Sequence, residues 1–375
     1  MNKRFRKLIN DLHLWLGLGS GIVLFIVCLT GTIYTFRTEI ETFFNKDTYY
    51  FKVDDTAKQP AIDSLIQLIE KQEKTSVAGF SIPTEKNKVW TFSLKPEKGK
   101  GEKANARGKQ ILVNPYTGHI VGGTQTSSGK FFLTMMKLHR WLLLEQQTGR
   151  IIVGVSTLIF TFLLLSGLIL WLPKKLKYWK QGFVILFSAR WKRINHDLHN
   201  VLGFYSFLVI LMMALTGLCW SFDWYKNGAS QLLGAPVLQR GGGKPITSNN
   251  LSGTGVAVST VLTVADNALP QKGETRINFP EDSIGVFTVI KNNEAAFNVS
   301  ATDKVSIDQY SAAILNVEKF SEKQLGAKIA ASIKPIHTGE IFGLFSKIIY
   351  FICCLIATSL PVTGTLIWWN KLKKK

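Results

Sequence analysis

Four long apolar runs constrain this chain more than any other feature. They cover residues 14–36, 151–172, 201–222 and 341–369, each at least 20 residues long with at most one internal charge. At 1.5 Å of rise per residue, such a run crosses the roughly 30 Å hydrocarbon core of a bilayer as a helix. A chain of 375 residues has the length of two or three soluble domains, but here the apolar residues are gathered instead of spread, and a four-helix transmembrane bundle is expected. The first run follows MNKRFRK, yet it exceeds the apolar region of a secretory signal and no small-x-small cleavage site follows it. It is expected to be a retained anchor helix.

The net charge of +20 is explained by its location. Lys3, Arg4, Arg6 and Lys7 precede the first run, while Lys174, Lys175, Lys177, Lys180, Arg190, Lys192 and Arg193 lie between the second and third. Lys371, Lys373, Lys374 and Lys375 follow the fourth. Every cluster flanks a helix end, so the positive-inside rule puts both termini and the middle loop in the cytoplasm and the segments 37–138 and 223–336 outside. The charge serves topology beside anionic lipid, and no nucleic-acid partner is expected. Of the ten tryptophans only Trp90 is far from a run end; the others form interfacial belts. Cys28, Cys219, Cys353 and Cys354 all fall inside the runs, which leaves the exported segments without a disulfide or a CxxC motif.

The first and third runs begin alike. NDLHLWLGLGSGIVLFIVCLTGT from Asn10 lines up with HDLHNVLGFYSFLVILMMALTGL at an offset of 186, matching Asp11 with Asp197, His13 with His199, Gly17 with Gly203 and Gly31 with Gly217. The outer segments also repeat an order. The first shows a helical stripe at 61–74, strands at 77–83, 88–94 and 110–113, and the turn NPYTGHIV from Asn114. The second shows a stripe at 259–269, strands at 274–279, 285–290 and 295–299, and DQYSAAIL from Asp308, with Ala312 where the first turn has Gly118. Residues 228–255, rich in Gly, Ser and Asn, are expected to form a mobile loop. The expected parts are therefore 1–36 (N-terminus and first span), 37–138 (first outer domain), 139–172 (second span), 173–195 (cytoplasmic loop), 196–222 (third span), 223–336 (second outer domain) and 337–375 (fourth span and tail). This is a membrane α-helical plus α+β fold built by internal duplication.

The two DLH-x3-G helix starts, the two turns and the histidines before the second and fourth runs resemble the PepSY-associated transmembrane family, over essentially the full chain, and the outer segments resemble PepSY domains. The resemblance implies a bacterial inner-membrane protein with two b-type haems that acts as a ferric-siderophore reductase.

Five of the six histidines crowd the run ends. His13 and His199 open the first and third runs from the cytoplasmic side; His139 and His337, 198 apart, precede the second and fourth from the outer side. A haem between helices takes one axial imidazole from each, so two repeat-related pairs suit two haems, one near each face. An interfacial histidine also serves as a plain polar residue at headgroup level. Gly17 and Gly203 follow their histidines by one turn on the same face, where a missing side chain leaves room for a flat macrocycle. Thr30-Gly31, Ser166-Gly167, Thr216-Gly217 and Thr363-Gly364 stand at the far ends. Gly31, 18 residues beyond His13, is about 27 Å along a helix and reaches the level of the outer histidines, as Gly217 does; Gly167 and Gly364 reach the inner ones. Close helix packing also uses such small residues. His196, three residues before His199, is an alternative inner ligand, and His119 is expected at the surface. Arg37, Arg140 and Arg150 flank the outer site as propionate partners or ordinary boundary charges.

On this reading electrons enter from a cytoplasmic or membrane donor and leave to an extracytoplasmic ferric chelate. No G-x-G-x-x-G lies in the cytoplasmic segments, so the donor is a partner. The alternative is a cofactor-free PepSY module with a binding or regulatory role. No run carries a buried Asp or Glu of the kind that marks a proton pathway, and no G-x-S-x-G or H-E-x-x-H motif points to hydrolysis.

Overall fold

A computed structural model describes residues 2–53, 56, 58–96, 108–123, 126–173, 175–238, 246–248, 253–294, 298 and 301–373. In chain order the helices are α1 (Lys3–Thr35), α2 (Arg37–Phe44), α3 (Lys46–Tyr49), α4 (Ile62–Glu73), α5 (Ser127–Trp141), α6 (Gln146–Trp171), α7 (Trp191–Asp197), α8 (Gly203–Ser221), α9 (Asp223–Leu233), α10 (Val258–Ala268), α11 (Leu325–Thr338) and α12 (Gly343–Leu372). The strands are β1 (Val77–Ile82), β2 (Trp90–Leu94), β3 (Gln110–Val113), β4 (Ile120–Gly123), β5 (Thr275–Asn278), β6 (Val286–Asn292), β7 (Thr302–Asp308) and β8 (Ile314–Glu318). The chain divides into a helical unit (Met1–Arg37, Phe131–Gln239, Ile329–Lys375) and a sheet unit (Thr38–Lys130, Arg240–Lys328).

Among the described residues four helices, all in the helical unit, are long and apolar enough to cross a membrane: Lys3–Thr35, Gln146–Trp171, Trp191–Ser221 and Glu340–Leu372. The third joins α7 to α8 through a π-helical turn over Leu198–Leu202. Helix α1 packs against α6 and α12, and α8 against α6 and α12. Hydroxyls inside the helices bond back to their own turn, as Ser20 does to the Leu16 carbonyl (2.7 Å), Ser206 to Leu202 (2.7 Å) and Thr358 to Cys354 (2.8 Å). Each of these hydroxyls thereby spends its proton inside its own helix, as an apolar setting requires.

Two expected spans prove to be broken at their N-terminal ends. The span expected over 139–172 is α5 and α6, separated by Leu142 and Leu143, both in the left-handed region (φ 56° and 58°). Gly149 lets this corner close, because a Cβ there would overlap the Trp141 carbonyl. The span expected from 337 is likewise α11 and α12, parted by Gly339 (φ 77°), a single 3-10 turn over Glu340–Phe342 and Gly343 (φ 68°). His139 and His337 thus sit on short helices of their own.

In the sheet unit, the two outer segments that the sequence separates into domains share one antiparallel sheet of order β4-β3-β2-β1-β5-β6-β7-β8. The order helix then four strands occurs twice, and the halves meet where β1 pairs with β5, Gly79 opposite Asn278 and Ile82 opposite Thr275. One row across the sheet, Ile111, Phe92, Phe80, Ile277, Val289 and Val305, is buried against α4 and α10. Asp63 ties the two helices by accepting from the Val258 and Ser259 N–H groups that open α10 (2.7 and 3.3 Å). The strand expected at 295–299 lies mostly outside the described residues, and the strand that continues the sheet is β7. Residues 228–233, expected in a mobile loop, belong to α9.

The two turns keep one geometry. Asn114 accepts from the Tyr116 N–H (3.0 Å) and Asp308 from the Tyr310 N–H (2.9 Å), while Gly118 and Ala312 adopt left-handed φ of 70° and 57°. Ala312 therefore holds the conformation of Gly118 at the steric cost a Cβ brings there.

Candidate functional site

The four expected histidines meet in two pairs. His13 and His199 have ring centroids 6.4 Å apart with planes at 86°, and His139 and His337 have centroids 6.3 Å apart at 59°. A transition-metal bond to imidazole of about 2.0 Å, added to about 1.1 Å from nitrogen to ring centre, puts two rings on opposite sides of one ion about 6.2 Å apart. Both pairs have that spacing. Among the described residues no group of three or more His, Cys, Asp or Glu side chains gathers as a metal cage. Two imidazoles alone suit a metal that brings its equatorial donors with it, as in a macrocycle.

Each imidazole is held by an oxygen, and faces a glycine, on a neighbouring helix. His13 Nδ1 lies 2.9 Å from Ser166 Oγ, and His199 Nδ1 lies 2.9 Å from Thr363 Oγ1. Those hydroxyls donate their single protons to helix carbonyls, Ser166 to Leu163 (3.1 Å) and Thr363 to Ser359 and Leu360 (3.0 and 3.1 Å). With their protons so placed they accept from the ring, the arrangement in which Nδ1 carries the proton. At the second pair His139 Nδ1 donates to the Val27 carbonyl (2.8 Å) with Thr30 Oγ1 at 3.5 Å. His337 Nδ1 donates to the Met213 carbonyl (2.9 Å) with Thr216 Oγ1 at 3.1 Å. All four rings are thereby fixed as the Nδ1–H tautomer, with the Nε2 lone pair left for a metal. Among the described residues no hydrogen bond occupies any of the four Nε2 atoms.

The glycines explain how the rings come so close. A Cβ at Gly31 would stand 3.1 Å from His139 Cε1, at Gly217 3.1 Å from His337 Cε1, at Gly167 3.3 Å from His13 Cε1 and at Gly364 3.3 Å from His199 Cε1. These four make room for imidazole. Gly17 and Gly203 are different: a Cβ would meet only the side chains of Leu163 at 3.8 Å and Leu360 at 3.7 Å, which is ordinary contact. Helix packing alone does not call for glycine at either.

His196 is not part of the His13–His199 pair. Its side chain is 53% exposed, with Nδ1 3.7 Å from Asp197 Oδ1 and Asn200 Nδ2 at 3.2 Å. The π-helical turn carries His199 to face His13 instead. His119 is exposed in its turn. Of the arginines, Arg150 pairs with Asp223 (3.3 Å), Arg37 donates to the Tyr34 hydroxyl (2.6 Å), and Arg140 lies over the Trp141 ring (5.0 Å). Lys226 and Arg150 together hold the Asp223 carboxyl below the usual carboxylate range. Sequence reasoning missed the holding carbonyls of Val27 and Met213, and also Trp220, whose ring lies 5.2 Å from that of His337. The first pair had a signal, since each stands three residues before a Thr-Gly dipeptide.

A family model described as the PepSY-associated TM region matches residues 11–371. Comparison with curated proteins finds no match to the chain.

Proposed function

From its membership of the PepSY-associated TM family, we propose that the chain is a di-haem b oxidoreductase of a bacterial inner membrane. It carries electrons from the cytoplasmic side to an extracytoplasmic ferric chelate of the siderophore class and releases the iron by reducing it. In this reading the fold arose by duplication of a unit with a PepSY-like outer domain, and both termini are cytoplasmic.

The observation that supports it most is the pair of imidazole couples at the spacing of one iron, each ring with its free nitrogen fixed by tautomer. His13 and His199 would hold the inner haem, and His139 and His337 the outer one. When bound, haem supplies reversible one-electron iron chemistry, and the protein supplies orientation and tuning. Each haem would be held by two imidazoles, a donor set that favours electron transfer over binding of an external ligand to the iron. Ser166, Thr363, Val27 and Met213 keep the rings from turning, and Gly17 and Gly203 leave the helix faces beside the inner ligands flat. Ferric iron is held by hard oxygen donors, and reduction weakens that hold; the sequence carries no nucleotide-binding motif, so a partner supplies the electrons.

The test is an absorption spectrum of the detergent-purified full chain, oxidised and dithionite-reduced, with haem quantified per polypeptide. Two b-type haems per chain, re-oxidised by ferric siderophore, are expected. A preparation without a Soret band after haem-supplemented expression would sink the reading and favour a cofactor-free binding module.

A further inference from the structure

The two imidazole pairs are held by different acceptors. At the inner pair the closest oxygen to each Nδ1 is a hydroxyl, Ser166 Oγ and Thr363 Oγ1, both at 2.9 Å. The Leu163 and Leu360 carbonyls lie within electrostatic reach of the same rings. At the outer pair the order is reversed, with the Val27 and Met213 carbonyls at 2.8 and 2.9 Å and the Thr30 and Thr216 hydroxyls at 3.5 and 3.1 Å. All four holders are the same local device, a Ser/Thr-Gly dipeptide with a helix carbonyl three residues earlier. Only the ring's position in the device differs.

The difference has a chemical consequence. An amide carbonyl oxygen carries more negative charge than a hydroxyl oxygen and draws the Nδ1 proton more strongly. The imidazole then becomes more basic at Nε2, and a more basic axial ligand favours ferric over ferrous iron. We propose, on the di-haem reading above, that Ser166 and Thr363 act as positioning residues that keep the reduction potential of the inner haem above that of the outer haem. The outer haem is then the stronger reductant, as suits the face where a ferric chelate is met. The near-perpendicular rings of the inner pair, 86° against 59°, also give its ferric form the more axial low-spin resonance spectrum, which labels the two sites.

The experiment is a reductive titration of the purified holoprotein, followed by optical absorbance and by electron paramagnetic resonance. His139→Ala, which keeps the inner pair, and His13→Ala, which keeps the outer pair, assign the components independently of the resonance spectrum. The expected order has the inner component at the more positive midpoint. In Ser166→Ala and Thr363→Ala the ring passes its proton to the Leu163 or Leu360 carbonyl, and the inner midpoint falls toward the outer one. Ser166→Thr and Thr363→Ser, which keep a hydroxyl, leave it in place, and Thr30→Val leaves the outer midpoint in place. Equal midpoints, the reverse order, or an inner component indifferent to loss of both hydroxyls overturns the inference. Two haems with midpoints in the wrong order refute this inference alone, whereas absence of haem refutes the function it rests on.

Discussion

Replacing Gly31 by alanine tests the outer pair without disturbing the fold. The added Cβ would lie 3.1 Å from His139 Cε1 and 3.3 Å from Nδ1. Ordinary carbon contacts begin near 3.5 Å, so the ring must retreat by about 0.4 Å. It cannot do so freely, because Nδ1 is bound to the Val27 carbonyl at 2.8 Å. Metal–ligand bonds tolerate deviations of only about 0.2 Å, and disturbing a ligand's holder costs about 10- to 100-fold in affinity, or roughly 1.4–2.7 kcal/mol. Helix stability moves the other way, since Gly→Ala in a helix interior gains about 1 kcal/mol. The expected result is a protein that melts no lower than wild type and purifies with its inner haem but with little of the outer one. Gly19→Ala, on the same helix with nothing within 4 Å of the new Cβ, is the control. Haem per chain and the reduced-minus-oxidised spectrum read the outcome. Two haems with an unchanged spectrum in Gly31→Ala, or equal loss in Gly19→Ala, would refute the reasoning.

Other outcomes follow from the same geometry. His196→Ala leaves haem content and both midpoints unchanged, because that ring faces Asn200 and Asp197; loss of the inner haem would return it to the list of ligands. Ala312→Gly relieves a left-handed alanine (φ 57°) and stabilises the sheet unit by about 1 kcal/mol, seen as slower hydrogen exchange at the Tyr310 and Ser311 amides. Burial raises the pKa of Asp308, but hydrogen bonds from Ser248, Ser311 and Tyr310 outweigh it and leave the carboxyl below its ordinary value of 3.8. Its contribution to stability is complete above that value and fades as pH falls through the lower folded one. Asp308→Asn, the residue type at Asn114, should flatten this acid loss in the same exchange experiment.

How much was legible follows from what each feature shows in a sequence. The spans were legible because lipid demands length and apolarity, and the histidine pairs because the halves of the chain repeat them. The corner between α5 and α6 was not: it is built from Leu142 and Leu143 at positive φ, in a stretch as apolar as the helix it interrupts. The matching corner before α12 has Gly339 and Gly343 and was open to reading. Strand β7 escaped because Asp303, Lys304, Ser306 and Asp308 mask its alternation. Gln271 donates to Asp303 (2.9 Å) and Ser248 to Asp308 (2.5 Å), so two of its acids are buried with partners far away in the chain. The Ser/Thr-Gly dipeptides were visible, and their level in the bundle could be counted. That each receives an imidazole depends on which helices touch, which spacing along one helix does not contain.

The holders assign each half of the chain a complete task. His13 on α1 is held by α6 and His139 on α5 by α1; His199 is held by α12 and His337 on α11 by α8. Among the described residues no ring is held by the other half. Yet each pair takes one ring from each half, so both pairs exist only where the halves face each other. A ligand bound by a pair therefore joins the halves, and whatever binds the assembled state but not the separated one stabilises assembly. At a free concentration 100 times its dissociation constant, each such ligand contributes about 2.7 kcal/mol. Haem loading should accordingly raise the melting temperature of the helical unit in two increments, and His139→Ala should remove one of them while His13→Ala removes the other. If haem binds but melting is indifferent to it, the pairs are preassembled by helix packing alone, and the junction between the halves does not depend on the cofactor.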